Sequence, residues 1–414
     1  MSAGELRVDG GRLMSRLARL AEIGPIEGGG SCRLALTDDD KAGRDRVVGW
    51  MGELGLAIAI DQIGNVFGLR AGSESLPPVM TGSHIDTVRT GGRYDGNLGV
   101  LAGLEVVETL NAAGIATRRP LVVAIFTNEE GARFAPDMLG SLVYAGGLPL
   151  ADALKATSID GKVLGDELAR IGYAGDAPLG IHRPYAYVEL HIEQGPVLDA
   201  EGITIGAVED LQGISWQEIA VIGQSNHAGT TPMRLRHDAG YSAAAIAHFL
   251  RELAREMGAA QVCTVGRIDL VPNLINVIAA RATLTVDLRN TDEALLKEAE
   301  ARLDAFLDAL RRDEGVTIRT KRLARFAPVI FDPTVIRCIE GVASRLGFSQ
   351  RRMTSGAGHD AQMLARICPS AMIFVPSVAG ISHNAAEHTE PADLAAGANV
   401  LLHTLLELAS KEAN

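Results

Sequence analysis

The sequence is short of positive charge, of paired cysteines and of long apolar runs, and each scarcity removes a class of protein. Lys and Arg number 39 against 51 Asp and Glu, a net charge of −12, which argues against a polyanionic partner such as nucleic acid. The four cysteines, Cys32, Cys263, Cys338 and Cys368, are far apart and form no Cys-x-x-Cys pair. Neither a thiolate zinc site nor a disulfide framework is indicated, and inert thiols in a reducing cytosol are expected. No stretch approaches the roughly eighteen apolar residues of a membrane span. Residues 1–9 have neither the basic start nor the apolar centre of a signal peptide, so a cytoplasmic protein without membrane association is expected. Internal repeats and low-complexity segments are lacking too. The Gly28-Gly29-Gly30 loop follows no strand and has no Lys-Ser/Thr ending, which discounts a phosphate cradle.

What is present describes a globular chain. Hydrophobic residues make up 47% and charged residues 22% of 414 positions, and that length exceeds one ordinary core, so two domains are expected. Two apolar runs, residues 79–83 and 121–127, read as buried strands. Between them Leu98, Leu101, Leu104 and Val107 have helical spacing, with Gly114 as a stop signal. If the two strands of this unit pair in parallel, their carboxyl ends lie side by side on the rim where open α/β sheets bind ligands.

Metal-ligand side chains stand at that rim. His84 and Asp86 follow the first run, Asp95 lies in Gly92-Arg93-Tyr94-Asp95-Gly96, and Glu129 and Glu130 follow the second. Imidazole nitrogen and carboxylate oxygen suit zinc, manganese, cobalt or nickel, and one Asp can bridge two such ions. Of two neighbouring Glu residues one can bind metal while the other takes a proton from the activated water. Asp86 is placed to accept the second N–H of His84 and fix its tautomer. Taken singly, each of these residues is as well explained as a solvated loop residue at a strand end.

Further candidates follow in order. Residues 187–192 read as a strand ending in His191-Ile192-Glu193-Gln194-Gly195; His191 is a possible ligand, and Gln194 can donate to a substrate carbonyl or carboxylate. A strand-loop histidine, His383, follows the apolar run 371–375. Both histidines read equally well as satisfied or solvated imidazoles when taken alone. The Gly-rich turn 355–360, including Gly358, opens a helix whose amides could hold an anionic group.

The middle of the chain changes pattern. Strands at 216–221, 262–268, 275–288 and 316–320, with helices at 238–257 and 293–310, run in the order strand, helix, strand, strand, helix, strand, the split βαβ plan. The expected organisation is a discontinuous catalytic domain, 1–212 and 329–414, interrupted by a small inserted domain, 213–328. The fold class is α/β: a mixed, mostly parallel catalytic sheet flanked by helices, with an inserted α+β ferredoxin-like lid and dimerisation domain. Its edge strands could pair with a second copy. Within it, His227 lies in the polar loop 225–230, and Arg289 with Asn276 could clamp a carboxylate. A surface Arg in a local ion pair is the simpler account of Arg289 taken alone.

Four of these stretches, Gly82-Ser83-His84-Ile85-Asp86-Thr87-Val88, Asn128-Glu129-Glu130-Gly131, Glu189-Leu190-His191-Ile192-Glu193-Gln194-Gly195 and Gly380-Ile381-Ser382-His383-Asn384, together resemble the dinuclear-metal amidohydrolases of the M20 peptidase-like superfamily. Within it they resemble the hydantoinase/carbamoylase branch, over nearly the whole chain. The likeness implies two divalent ions, one held by His84, Asp95 and His191, the other by bridging Asp95 with Glu130 and His383. It implies Glu129 as general base and then acid, His227 as an oxyanion stabiliser reaching the partner subunit's site, and Gln194, Asn276 and Arg289 as holders of the substrate carboxylate. His191, where peptidase relatives use a carboxylate, points to this branch. The implied reaction is hydrolysis of a ureido C–N bond in a small ureido acid, by a homodimer whose small domain closes over the site. N-Carbamoyl-L-amino acids are the favoured substrates, with allantoate or β-ureidopropionate as alternatives. An aminoacylase or peptidase, and a binding protein on an inactive hydrolase scaffold, are the competing readings.

Overall fold

The computed structural model describes residues 3–258 and 260–410. The chain divides into two compact units, residues 1–209 with 330–414, and residues 210–329.

In the larger unit the described residues form a nine-stranded sheet. Its strands are β1 (Ala57–Ile60), β2 (Val66–Arg70), β3 (Val79–His84), β4 (Leu121–Phe126), β5 (Ala186–Ile192) and β6 (Ile205–Leu211), joined by β11 (Val329–Ile330), β12 (Gln350–Ser355) and β13 (Ser370–Val375). The order is β1-β2-β4-β3-β5-β13-β6-β11, with β12 also on β6. The four central strands β4, β3, β5 and β13 are mutually parallel, and β2 and β6 flank them antiparallel. Every residue of those four strands is buried. A parallel sheet covered on both faces needs such uninterrupted apolar runs.

Helices Gly10–Ala21, Asn97–Ala112, Pro333–Arg345 and Pro391–Ser410 pack together on one face. The short helices Leu139–Tyr144 and Asp360–Leu364 lie on the other, where the Phe67, Phe126, Tyr144 and Tyr187 rings meet edge-on or tilted. The strand 205–211 went unread in the sequence because Gly206 and the Glu209-Asp210 pair break its apolar pattern; it pairs with β13 through Met372 and Val208. No helix among the described residues is long and apolar enough to cross a membrane.

The smaller unit holds β7 (Gly213–Ile222), β8 (Val262–Val271), β9 (Arg281–Asn290) and β10 (Thr317–Phe326), in the antiparallel order β10-β7-β9-β8. Helices Ala239–Met257 and Glu293–Glu314 cover one face, packing Ile246, Leu250, Leu303 and Leu307 against Ile219, Leu284 and Val286. Burial therefore alternates along β9, as expected of a sheet covered on one side only. The strand anticipated at 275–288 starts six residues later. Residues 276–280 instead bond to the loop after β7, Ala228 N to Asn276 O and Ile278 N to Asn226 O, and Leu274 and Ile275 stand exposed.

Candidate metal centre

Parallel pairing brings the sequence candidates to one rim. His84 ends β3 opposite Phe126 of β4, and Asn128, Glu129 and Glu130 follow that strand. His191 lies one residue before the end of β5, opposite Phe374 of β13, and His383 lies in the loop beyond β13. Asp95 sits just ahead of helix Asn97–Ala112, whose N-cap is Gly96 with φ 64°. A Cβ at Gly96 would come within 2.4 Å of the His84 ring, so only glycine permits both the left-handed turn and the close approach.

Ligand atoms of His84, Asp95 and His191 lie within 4.8 Å of one another, and so do those of Asp95, Glu130 and His383. His191 Nε2 is 3.2 Å and His84 Nε2 3.7 Å from Asp95 Oδ1. His383 Nε2 is 3.4 Å from Asp95 Oδ2 and 3.3 Å from Glu130 Oε2. Asp95 thus faces two clusters with its two oxygens. The Nδ1 atoms of His84 and His191 are each 2.9 Å from a backbone carbonyl, of Asp86 and Ile192. Those carbonyls accept Nδ1–H and so turn each Nε2 toward Asp95; that of His191 also lies 3.1 Å from the amide of Gly96.

The charges support the same use. Burial, reinforced by Asp360 and Glu130, holds the Glu129 carboxyl well above its ordinary pKa, and burial with Asp95 does so for Glu130. Burial outweighs Asp95 at His84 and lowers it to about 4. At His191, burial works against protonation, but the bond to Asp95 prevails and lifts it to about 9. Among the described residues the ion-pair partners of Asp95, Glu129 and Glu130 are imidazoles, with no Lys or Arg. Three carboxylates with buried side chains converging without a Lys or Arg, beside histidines whose Nε2 atoms face them, are a donor set that fits divalent metal ions.

Asp86 acts differently from expectation. Its backbone carbonyl, not its carboxylate, meets His84 Nδ1; the carboxylate instead accepts the amides of Glu129 (3.2 Å) and Glu130 (3.4 Å). Gln194 lies inside the cluster, its Nε2 donating to Asp95 Oδ2 at 2.8 Å. Asn128, Gln194 and His383 all have positive φ, of 56°, 57° and 52°. Such backbone is costly for residues other than glycine and gathers where a site demands it.

The turn at Gly358 differs from the anion cradle read in it. The helix it opens has five residues, and the amide of Ala361 is already taken by Glu189 Oε2 at 2.8 Å. Three further residues were missed. His359 is buried with its ring centroid 4.5 Å from that of His191, and Glu189 completes a third possible ligand group with those two histidines. Their one signal was proximity in sequence to residues already chosen. Arg33 is fully buried and donates to the carbonyls of Leu20, Ile23 and Ile85 and to Asn97 Oδ1, tying the His84 and Asp95 loops to the first helix.

The other candidates belong to the smaller unit. His227 is exposed, and its Nδ1 accepts the amides of Gly229 (3.1 Å) and Thr230 (3.2 Å), which leaves Nε2–H as a donor. Asn276 is on the neighbouring loop, and Val277 bridges to His227. Arg289 pairs with Asp287 at 2.8 Å and lies over Trp216. It stands opposite Ile214 at the start of β7, whereas Arg281, the first residue after the Asn276 loop, stands opposite Ile222 at its end. About 27 Å of strand separates the two ends. Arg289 and Asn276 of one chain therefore cannot clamp the same carboxylate, contrary to the sequence expectation.

Comparison with known proteins agrees with this geometry. The model of peptidase family M20/M25/M40 matches residues 80–407. An N-carbamoyl-L-amino-acid amidohydrolase of Rhizobium meliloti is 44% identical over 97% of both chains. Allantoate amidohydrolase of Escherichia coli is 35% identical over 94% of this chain and 96% of its own. The crystal structure of a hydantoinase/carbamoylase family amidase from Burkholderia multivorans has a TM-score of 0.95 at 46% identity, covering 99% of this chain and 100% of that one. With the rim ligands in hand and matches of this length on both counts, the chain belongs to the M20/M25/M40 peptidase family, in its hydantoinase/carbamoylase branch of amidases.

Proposed function

We propose that the protein hydrolyses N-carbamoyl-L-amino acids to the free amino acid, ammonia and carbon dioxide. The observation that carries this reading is the meeting of His84, Asp95, Glu130, His191 and His383 in two clusters sharing Asp95, with Glu129 against them. Two divalent ions, zinc, manganese, cobalt or nickel, held by those five side chains would supply Lewis acidity and lower the pKa of water. Glu129 takes a proton from the attacking water and returns it to the leaving amine nitrogen as the C–N bond breaks. The carbamate released decomposes to ammonia and carbon dioxide.

The smaller unit is read as the lid and dimerisation domain. His227 Nε2–H donates to the oxyanion, and Gln194, Asn276 and Arg289 hold the rest of the substrate. Because Asn276 and Arg289 lie at opposite ends of their sheet, one substrate meets both only if a second copy supplies one of them. That supports a homodimer in which His227 and Asn276 come from the partner. The cytoplasm is the location that fits four cysteines far apart in sequence with no Cys-x-x-Cys pair among them.

The 44% relative favours N-carbamoyl-L-amino acids over allantoate, whose hydrolase is at 35%. The test is ammonia release from a panel of N-carbamoyl-L-amino acids, β-ureidopropionate, allantoate and N-acetyl amino acids, before and after chelation. Turnover of the first group, lost on chelation and restored by metal, is expected. Preference for allantoate or β-ureidopropionate would reassign the substrate within the branch, and cleavage of N-acetyl amino acids alone would replace the reading with an aminoacylase.

A further inference from the structure

Glu387 joins two loops that are remote in sequence. Its Oε1 accepts the amides of Tyr94 (3.0 Å) and Asp95 (3.3 Å), and its Oε2 is 3.0 Å from Ser382 Oγ. The residue is 5% exposed. Ser382 Oγ lies 3.3 Å from Asp95 Oδ2 as well, and Gln194 Nε2 lies 3.3 Å from Ser382 Oγ. One carboxylate therefore ties the backbone bearing Asp95 to the residue preceding His383.

The opposing loop is shaped around it. A Cβ at Gly92 would lie 2.0 Å from Glu387 Oε1 and 2.1 Å from its Cδ, so no side chain fits at position 92 while Glu387 is in place. The His383 side chain is 52% exposed, so packing does not hold the ring and its place depends on its backbone. Asp95 must direct Oδ1 to one cluster and Oδ2 to the other, and a small rotation of its peptide would misplace both.

We propose that Glu387 is a positioning residue that sets the spacing of the Asp95 and His383 loops, and with it the affinity of both cation sites, and that position 92 is glycine to admit it. The inference rests on the metal-centre reading of Asp95 and His383. It acts through hydrogen bonds to Tyr94, Asp95 and Ser382, not through contact with substrate.

The experiment titrates Mn²⁺ into metal-stripped full-length protein by chelator competition, with thermal unfolding of each metal-free form alongside. Glu387→Ala and Gly92→Ala are each expected to weaken binding about 10–100-fold. Glu387→Gln, which keeps an acceptor for the two amides, stays near wild type. The double variant Glu387→Gly with Gly92→Ala binds within about twofold of Glu387→Gly alone, since the carboxylate and the Cβ that a methyl group at position 92 would strike are both gone. Losses that multiply in the double variant, a Gln variant as weak as Ala, or unchanged affinities with only a lowered melting temperature would each overturn the proposal. Wild-type protein that binds no Mn²⁺ would overturn the metal-centre reading itself, which unaltered variants beside a binding wild type would leave standing.

Discussion

Glu129 Oε2 lies 3.3 Å from Nε2 of His84, the ring nitrogen other than the one that meets Asp86 O. The neighbouring Glu130 points elsewhere, its Oε2 3.3 Å from His383. Both glutamates hang from one anchor, since the Asp86 carboxylate accepts both of their amides. Two adjacent identical residues thereby face different imidazoles.

Replacing Glu129 by Gln keeps its size and removes the proton acceptor. Turnover is expected to fall by roughly 10²–10⁴-fold, while metal content, read by atomic absorption, stays at the wild-type value. Undiminished activity would take Glu129 out of the chemistry.

The separation of Arg289 from His227 and Asn276 predicts complementation between chains. In the proposed homodimer His227→Ala and Arg289→Ala should each be impaired, the latter through KM for the carboxylate substrate. Unfolded together and refolded, they form mixed dimers in which one of the two sites has both residues. Random reassortment then restores roughly a quarter of wild-type activity. If the mixture is no better than its parents, both residues serve from one chain.

Asp61 provides a pH test away from the metal ligands. It is fully buried and accepts bonds from Ile63 N, Asn65 N and Asn65 Nδ2, yet burial outweighs them and lifts its pKa to about 6. Between about pH 4 and about pH 6 the folded chain holds a proton there that the unfolded chain has released, so this residue's contribution to stability falls as pH rises and is flat above. Urea unfolding of the wild type relative to Asp61→Asn should therefore lose up to about 3 kcal/mol across that window. A difference independent of pH would show that Asp61 is charged in the fold throughout.

The elements most legible in the sequence were those whose burial is uniform or periodic. β3, β4, β5 and β13 are buried throughout and mostly apolar because both faces of the sheet are covered, and the rim ligands were found because they stand at or near the carboxyl ends of those strands. Burial that depends on remote contacts left no such trace. Nothing in the sequence marks Arg33, yet it is enclosed by three carbonyls from two segments, and burial lowers its pKa to about 10. His359 and Glu387 were equally silent, because what defines them is a partner in another part of the chain.

The sequence by itself determined the chemistry on offer: which strands are buried, which side chains can bind metal, and which glutamate pair stands beside them. Only the tertiary structure decided how those groups face one another. It turned Asp86 from a histidine partner into an anchor for two amides, took Arg289 away from Asn276, and enlisted Glu387 from a loop nearly three hundred residues beyond Asp95. The reason is that residue type and local periodicity fix what a side chain can do, while direction and distance come from strand order and loop closure, which join parts of the chain that carry no record of each other.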